Sequence, residues 1–95
     1  MISEKQINII INTLKPFKPS KIGIFGSYAR DENSDNSDID ILYSFEEAVG
    51  LFKLIGIKVD LEERLNKKID LVSEKYANLN LKPAILRDLK VIYEN

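Results

Sequence analysis

An apolar stripe near the N-terminus is the first periodic feature of the chain. Residues at helical spacing form it: Ile7, Ile10, Ile11 and Leu14. Ser3 and Gln6, just before the stripe, have the spacing of a capping box that satisfies the first free N–H groups of a helix. The pattern therefore predicts an amphipathic helix over residues 3–14. We expect Pro16 and Pro19 to end it, because proline lacks the N–H that a helix interior needs.

Three short apolar runs with polar borders predict β-strands. They cover residues 21–26, 38–45 and 69–72. Side chains alternate between the faces of a strand, so Ile22 and Ile24 share one face of the first run and Phe25 lies on the other. In the second run, Ile39 and Ile41 alternate with carboxylates. These two isoleucines are therefore predicted to point toward the core.

Longer apolar patterns of helical period separate and follow the strands. Residues 46–65 place leucines near one face and predict the longest helix. Gly50 and Gly56 disfavour a uniform helix there, because glycine is a poor residue for a helix interior. Residues 74–79 and 82–89 predict two short helices, the second with a proline tolerated in its first turn.

The C-terminal residues complete the predicted order of elements. Residues 91–93 contain a β-branched pair, which favours a terminal strand over a continued helix. The 95 residues form one domain, 1–95, with too few strands for a doubly wound sheet. We therefore expect a small α/β (α+β) domain in which helices pack against one mixed sheet.

The absence of two residue types limits the chemistry. The sequence contains no cysteine and no histidine. Disulfides, thiolate metal sites, imidazole bases and Ser-His triads are therefore excluded. Any metal bound by this chain must be a hard cation held by oxygen atoms.

Charge and hydropathy bear on the cellular location of the chain and on its binding to nucleic acid. The 14 basic and 15 acidic residues give a net charge of −1 and form no basic block. This disfavours independent binding to DNA or RNA. No apolar run approaches the roughly 18 residues that span a bilayer, and the N-terminus lacks the features of a signal peptide. We therefore expect a cytoplasmic protein.

A Gly-Ser pair and an Asp-x-Asp motif provide the first candidate chemistry. Gly26 and Ser27 follow the first predicted strand, in the arrangement by which backbone N–H groups and a hydroxyl hold phosphate. Ten residues later, Asp38 and Asp40 share one face of the second predicted strand, with Cα atoms about 6.5 Å apart. A cation would relieve their repulsion. Each motif alone also has a plain structural interpretation, as a helix cap or as solvated edge residues.

Two further residues extend this candidate site. Asp70 lies in an apolar predicted strand, where a carboxylate is costly unless it meets water, a partner or a metal. Together with Asp38 and Asp40 it would give three carboxylates able to bind two Mg²⁺ ions; alternatively it pairs with a lysine. Arg30 is placed to contact a phosphate or hold the loop, or else to pair with a nearby acidic residue.

Taken together, these motifs resemble those of the nucleotidyltransferase superfamily of the DNA polymerase β type. The chain has Gly-Ser, ten residues, Asp38-Ile39-Asp40 and a later Asp70, and its Gly-Ser-Tyr-Ala-Arg and Ser-Asp-Ile-Asp segments look like minimal nucleotidyltransferases. The resemblance implies that Asp38, Asp40 and Asp70 bind two Mg²⁺ ions and act in catalysis. It also implies that Gly26, Ser27 and Arg30 bind the nucleotide, ATP.

The resemblance also implies a biological setting. Family members of this size resemble antitoxins that pair with a HEPN-domain toxin, and some transfer AMP from ATP to a tyrosine hydroxyl of that toxin. A non-catalytic antitoxin and a transferase acting on a small molecule stay open as alternatives, as does assembly into a homodimer or heteromer. Asp31 and Asn66 stand where relatives often have glycine, and Asn66 can adopt the left-handed conformation.

Overall fold

A four-stranded mixed sheet with three α-helices makes up the structure, a computed structural model that describes residues 2–76 and 82–95. The helices are α1 (Glu4–Leu14), α2 (Leu51–Leu65) and α3 (Lys82–Asp88). The strands are β1 (Pro19–Phe25), β2 (Ile39–Phe45), β3 (Ile69–Ser73) and β4 (Lys90–Glu94). Short 3-10 helices cover Lys15–Phe17 and Gly26–Tyr28. The predicted fold class is confirmed, and so is the C-terminal strand.

The order of strands in the sheet is β3-β2-β1-β4. β1 pairs antiparallel with both β2 and β4, whereas β2 and β3 are parallel and joined through α2. The C-terminal end of β1 therefore lies at the same edge of the sheet as the N-terminal ends of β2 and β3. The Gly-Ser turn and the carboxylates of β2 and β3 meet at this edge.

One face of the sheet forms the main core with α1 and α2. Ile22, Ile24, Ile39 and Ile41 are fully buried there, as the alternating pattern predicted. The predicted capping box at the start of α1 is also present, with Ser3 and Gln6 bonded to each other's backbone N–H groups.

The opposite face of the sheet meets the C-terminal segment. A Cβ atom on Gly23 of β1 would collide with the Leu89 side chain, so glycine permits a close approach here. Ile85 of α3 is buried as well, at 7% exposure. Phe25, Asp40, Asp70 and Val72 belong to this face, because they alternate with core residues in β1, β2 and β3.

Two boundaries differ from the sequence prediction. The helix predicted over residues 46–65 begins only at Leu51, because Gly50 is extended and the N–H of Glu46 instead bonds the carbonyl of Lys18 at 3.0 Å. Of the helix predicted over 74–79, residues 74–76 form a turn and residues 77–79 lie outside the described residues. No helix in the described part of the chain is long and apolar enough to cross a membrane.

Candidate active site

The turn after β1 is held by its own backbone and by the core. The N–H groups of Ala29 and Arg30 both bond the carbonyl of Gly26 at 3.1 Å. Tyr28 and Ala29 are buried, at 3% and 4% exposure, so they anchor the turn to the domain. Ser27 lies in this turn and is partly exposed. The turn is therefore fixed in position beside the edge of the sheet at which β2 and β3 begin.

Gly26 and Asp40 are in direct contact. Gly26 has φ +75°, in the left-handed region that side chains rarely adopt, and a Cβ atom built on it would collide with Oδ2 of Asp40. The absent side chain therefore leaves the space that the Asp40 carboxylate occupies. The two motifs that were separate in the sequence form one structural unit.

Three carboxylates gather near this unit. Asp40 and Asp70 are paired residues of the parallel strands β2 and β3, so their Cα atoms are about 4.8 Å apart on one face. Asp38 directly precedes β2 and is exposed, as is Asp70, whereas Asp40 is only partly exposed. The structure thus pairs Asp40 with Asp70 on neighbouring strands, and Asp38 lies two residues before Asp40 in the chain.

The electrostatics of the cluster are concentrated on Asp40. Partial burial is the main cause that raises the pKa of this carboxyl to about 6, and the negative charges of Asp70 and Asp38 raise it further. The positive charge of Arg30 acts in the opposite direction. The surroundings of Asp40 therefore disfavour its negative charge, and a nearby cation would stabilise that charge.

The donor chemistry of the cluster suits a divalent cation. Carboxylate oxygens are the ligands that Mg²⁺ prefers, and the repulsion around Asp40 is of the kind that such a cation relieves. Within residues 2–76 and 82–95, however, no three acidic side chains are already gathered as a metal site. Binding would therefore require the exposed Asp38 and Asp70 side chains to turn toward Asp40.

Arg30 is engaged with acidic residues at the rim of the site. Its Nη1 donates to Oδ2 of Asp88 at 2.7 Å, and its Nε donates to Glu32 at 3.1 Å. The pairing with a nearby acidic residue, one of the two options predicted, is observed. Asp88 was not identified from the sequence, because it lies 58 residues away and belongs to no motif. The hydrogen bond from Arg30 lowers the pKa of Asp88 and ties α3 to the Gly26 turn.

A cleft of about 230 Å³ opens between α3 and the face of the sheet that carries Asp40 and Asp70. The side chains that line it are Phe25, Gly26, Arg30, Asp70, Val72, Ala84, Ile85 and Asp88. The apolar residues of this lining were not recognised as site residues from the sequence. An apolar residue in a predicted strand or helix is normally assigned to the hydrophobic core. The sequence carries no signal that singles them out, because the cleft exists only once α3 is packed on the sheet.

A comparison with known protein families matches most of the chain. A family model described as polymerase beta, nucleotidyltransferase matches residues 6–95. The protein adenylyltransferase MntA of Thermococcus cleftensis is 34% identical over 94 residues, which cover 94% of this chain and 95% of that protein.

Solved structures share the fold. A crystal structure of a toxin–antitoxin with AMP-PNP contains a chain that is 26% identical, with a TM-score of 0.84, covering 94% of this chain and 73% of that one. A complex of the tri-AMPylated HEPN toxin of Shewanella oneidensis with an MNT antitoxin contains a chain with a TM-score of 0.80. That chain is 23% identical, and the match covers 99% of this chain and 74% of that one. At this identity the likeness supports the fold alone.

Proposed function

This chain belongs to the polymerase beta nucleotidyltransferase family, and we propose that it transfers AMP from ATP to a tyrosine hydroxyl of a HEPN-domain partner protein, acting as its antitoxin. The pairing of Asp40 with Asp70 on neighbouring strands, beside the Gly26 turn and with Asp38 two residues before Asp40, is the observation that carries the proposal. Similarity to MntA, a protein adenylyltransferase, supports AMP as the transferred group. Similarity to a toxin–antitoxin structure with AMP-PNP supports the partner class.

Each part of the site has a role in the proposed transfer. The turn at Gly26 and Ser27 presents backbone N–H groups and a hydroxyl to the phosphates of ATP. Arg30 stands at the rim, where its charge favours the nucleotide. Asp38, Asp40 and Asp70 would hold two Mg²⁺ ions, which neutralise charge on the phosphates and lower the barrier to attack.

The reaction itself is an in-line substitution at the α-phosphorus of ATP. The acceptor oxygen forms a bond to this phosphorus, and the bond from phosphorus to the bridging oxygen of the β-phosphate breaks. Pyrophosphate leaves with the bonding electron pair. The hydroxyl proton would pass to Asp70, which we propose as the base, and from there to solvent.

The test compares Asp40→Asn with Asp60→Asn, a matched change on the outer part of α2. Each variant is incubated with ATP, Mg²⁺ and the HEPN partner, and the intact mass of the partner is measured. The parent and Asp60→Asn should add AMP to the partner. Asp40→Asn should lose roughly a hundredfold or more in rate, because a metal ligand supplies several kcal/mol at the transition state.

Two results would contradict the proposal. If Asp40→Asn transferred AMP at the parent rate, the carboxylate assignment would be wrong. If the parent neutralised its partner without adding mass to it, neutralisation would occur by binding alone. A partner in which the acceptor tyrosine is replaced by phenylalanine should gain no AMP, which tests the hydroxyl acceptor separately.

A further inference from the structure

The cleft beside Asp70 joins the proposed catalytic carboxylates to an apolar surface. Phe25 and Val72 form its floor on the catalytic face of the sheet, and Ala84 and Ile85 form its wall on α3. Asp70 lies in the same lining. Whatever ring enters the cleft therefore places its polar end near a carboxylate of the proposed reaction.

The size of the cleft limits what can enter. Its volume is about 230 Å³, below the 300–1,000 Å³ typical of sites that enclose a whole drug-sized ligand. The cleft therefore cannot enclose a complete nucleotide. One aromatic side chain is a better match, with its ring between the apolar walls.

The polar groups of the lining indicate which ring fits. Arg30 and Asp88 are bonded to each other at 2.7 Å, so the Asp88 carboxylate already has a partner. The side chain of Asp70 makes no hydrogen bond to the described residues. The cleft thus offers apolar walls and one carboxylate, that of Asp70, that is available to a donor.

This pattern suits a phenol better than adenine. A phenol is an apolar ring with one O–H donor, and Asp70 is the acceptor for it. Adenine carries several ring nitrogens that need donors, and the lining offers one donor side chain, Arg30, two of whose N–H groups already bond Glu32 and Asp88. Ring nitrogens left without partners would cost adenine part of its binding energy.

We propose that this cleft is the acceptor subsite, and that it receives the aromatic ring of the tyrosine to be modified. The inference rests on the proposed AMP transfer and adds a specificity device to it. The ring packs between Phe25, Val72 and Ile85, and its hydroxyl meets Asp70. Serine and threonine have no ring to occupy these walls, so the cleft selects tyrosine by shape before chemistry begins.

Ala84→Phe tests the proposal, because Ala84 is exposed at the mouth of the cleft and can be enlarged without disturbing the core. The matched control is Leu86→Phe on the same helix, where the side chain is half exposed and does not line the cleft. We expect Ala84→Phe to raise the KM for the partner protein at least tenfold. The affinity for a non-hydrolysable ATP analogue with Mg²⁺ should change less than twofold in both variants.

Binding of a small probe gives a second readout that does not depend on catalysis. N-acetyl-tyrosinamide, titrated into the isotope-labelled chain, should shift the NMR signals of Phe25, Val72 and Ile85, and Ala84→Phe should weaken this binding at least tenfold. N-acetyl-serinamide should leave the signals in place. Shifts caused by adenosine instead of the tyrosine probe, or by neither, would overturn the proposal.

The outcomes separate this inference from the proposed function. If the parent adds no AMP to any partner but the tyrosine probe still fills the cleft, the transfer proposal and the acceptor role fail, while the binding of a tyrosine ring by the cleft stands. If Ala84→Phe transfers AMP with the parent KM, the subsite is refuted while the transfer proposal stands. A loss of nucleotide affinity in Ala84→Phe would assign the cleft to ATP and refute the acceptor subsite.

Discussion

At the scale of single residues, Gly26 occupies a position where both backbone and packing exclude a side chain. Its φ of +75° favours glycine, and the space where a Cβ would stand belongs to the Asp40 carboxylate. The same residue was identified from the sequence as part of a phosphate-binding turn. Its structural role is broader, since it also decides where a proposed metal ligand can lie.

We expect Gly26→Ala to impair both stability and activity. The left-handed backbone alone should cost about 1 kcal/mol of unfolding free energy, and the contact with Asp40 adds to it. Displacement of that carboxylate should lower AMP transfer at least tenfold. Urea denaturation and the partner-mass assay measure the two effects.

A double-mutant cycle identifies the cause. In the background of Asp40→Ala, Gly26→Ala should cost less stability, because the colliding carboxylate is gone and the backbone strain remains. Equal costs in the two backgrounds would show that the contact between Gly26 and Asp40 has no energetic consequence.

Replacing the Asp40 carboxylate should stabilise the folded chain, by an amount that depends on pH. Its pKa of about 6 lies above the ordinary value of 3.8, so the folded chain binds more protons than the unfolded chain between these values. Stability linked to Asp40 therefore rises as pH falls through this window. Without divalent metal, Asp40→Asn should raise the melting temperature most at pH 7 or above and progressively less toward pH 4. A melting temperature below that of the parent at pH 7.5 would contradict this prediction.

The sequence singled out the candidate carboxylates of the site, but not the residues that surround them. Asp38, Asp40 and Asp70 stand out because carboxylates are unusual in a predicted strand, and the structure pairs Asp40 with Asp70 on neighbouring strands. Asp88 and the apolar cleft residue Ile85 have no such mark. They join the site through the packing of α3, which short-range patterns do not reveal.

At the scale of elements, α2 shows how a tertiary contact sets a boundary that periodicity missed. Residues 46–50 have reasonable helix formers, yet the N–H of Glu46 continues the pairing with the segment before β1. The helix can therefore start only after Gly50, whose carbonyl accepts the N–H of Leu54. The other helix and strand boundaries predicted for the described residues lie close to those observed, because their apolar faces are regular.

Gly56, inside α2, should respond to substitution in the opposite way to Gly26. A Cβ atom there would meet nothing within 4 Å, and the residue is helical. Alanine reduces the conformational freedom of the unfolded chain and suits a helix interior. Gly56→Ala should therefore raise the unfolding free energy by about 0.5–1 kcal/mol, measured by urea denaturation. A lower unfolding free energy would contradict the open space that the structure shows around Gly56.

At the scale of the whole molecule, the candidate site is assembled from elements far apart in sequence. The end of β1 provides Gly26, the starts of β2 and β3 provide Asp40 and Asp70, and α3 covers part of the face above them. The strand order was not predictable from the apolar pattern, because that pattern does not say which strands pair. The parallel register of β2 and β3 is nevertheless what brings the carboxylates into one cluster.

That parallel register has a consequence for the order of events during folding. Phe25 and Asp40 pair across 15 positions of sequence, whereas Asp40 and Asp70 pair across 30, with α2 between them. The shorter loop should close first, so like charges meet only after the rate-limiting barrier. Asp70→Asn should therefore slow unfolding while leaving the refolding rate nearly unchanged, as stopped-flow chevron plots can measure. The chain would then tolerate the repulsion between these two carboxylates because it arises late, when the rest of the sheet has already formed.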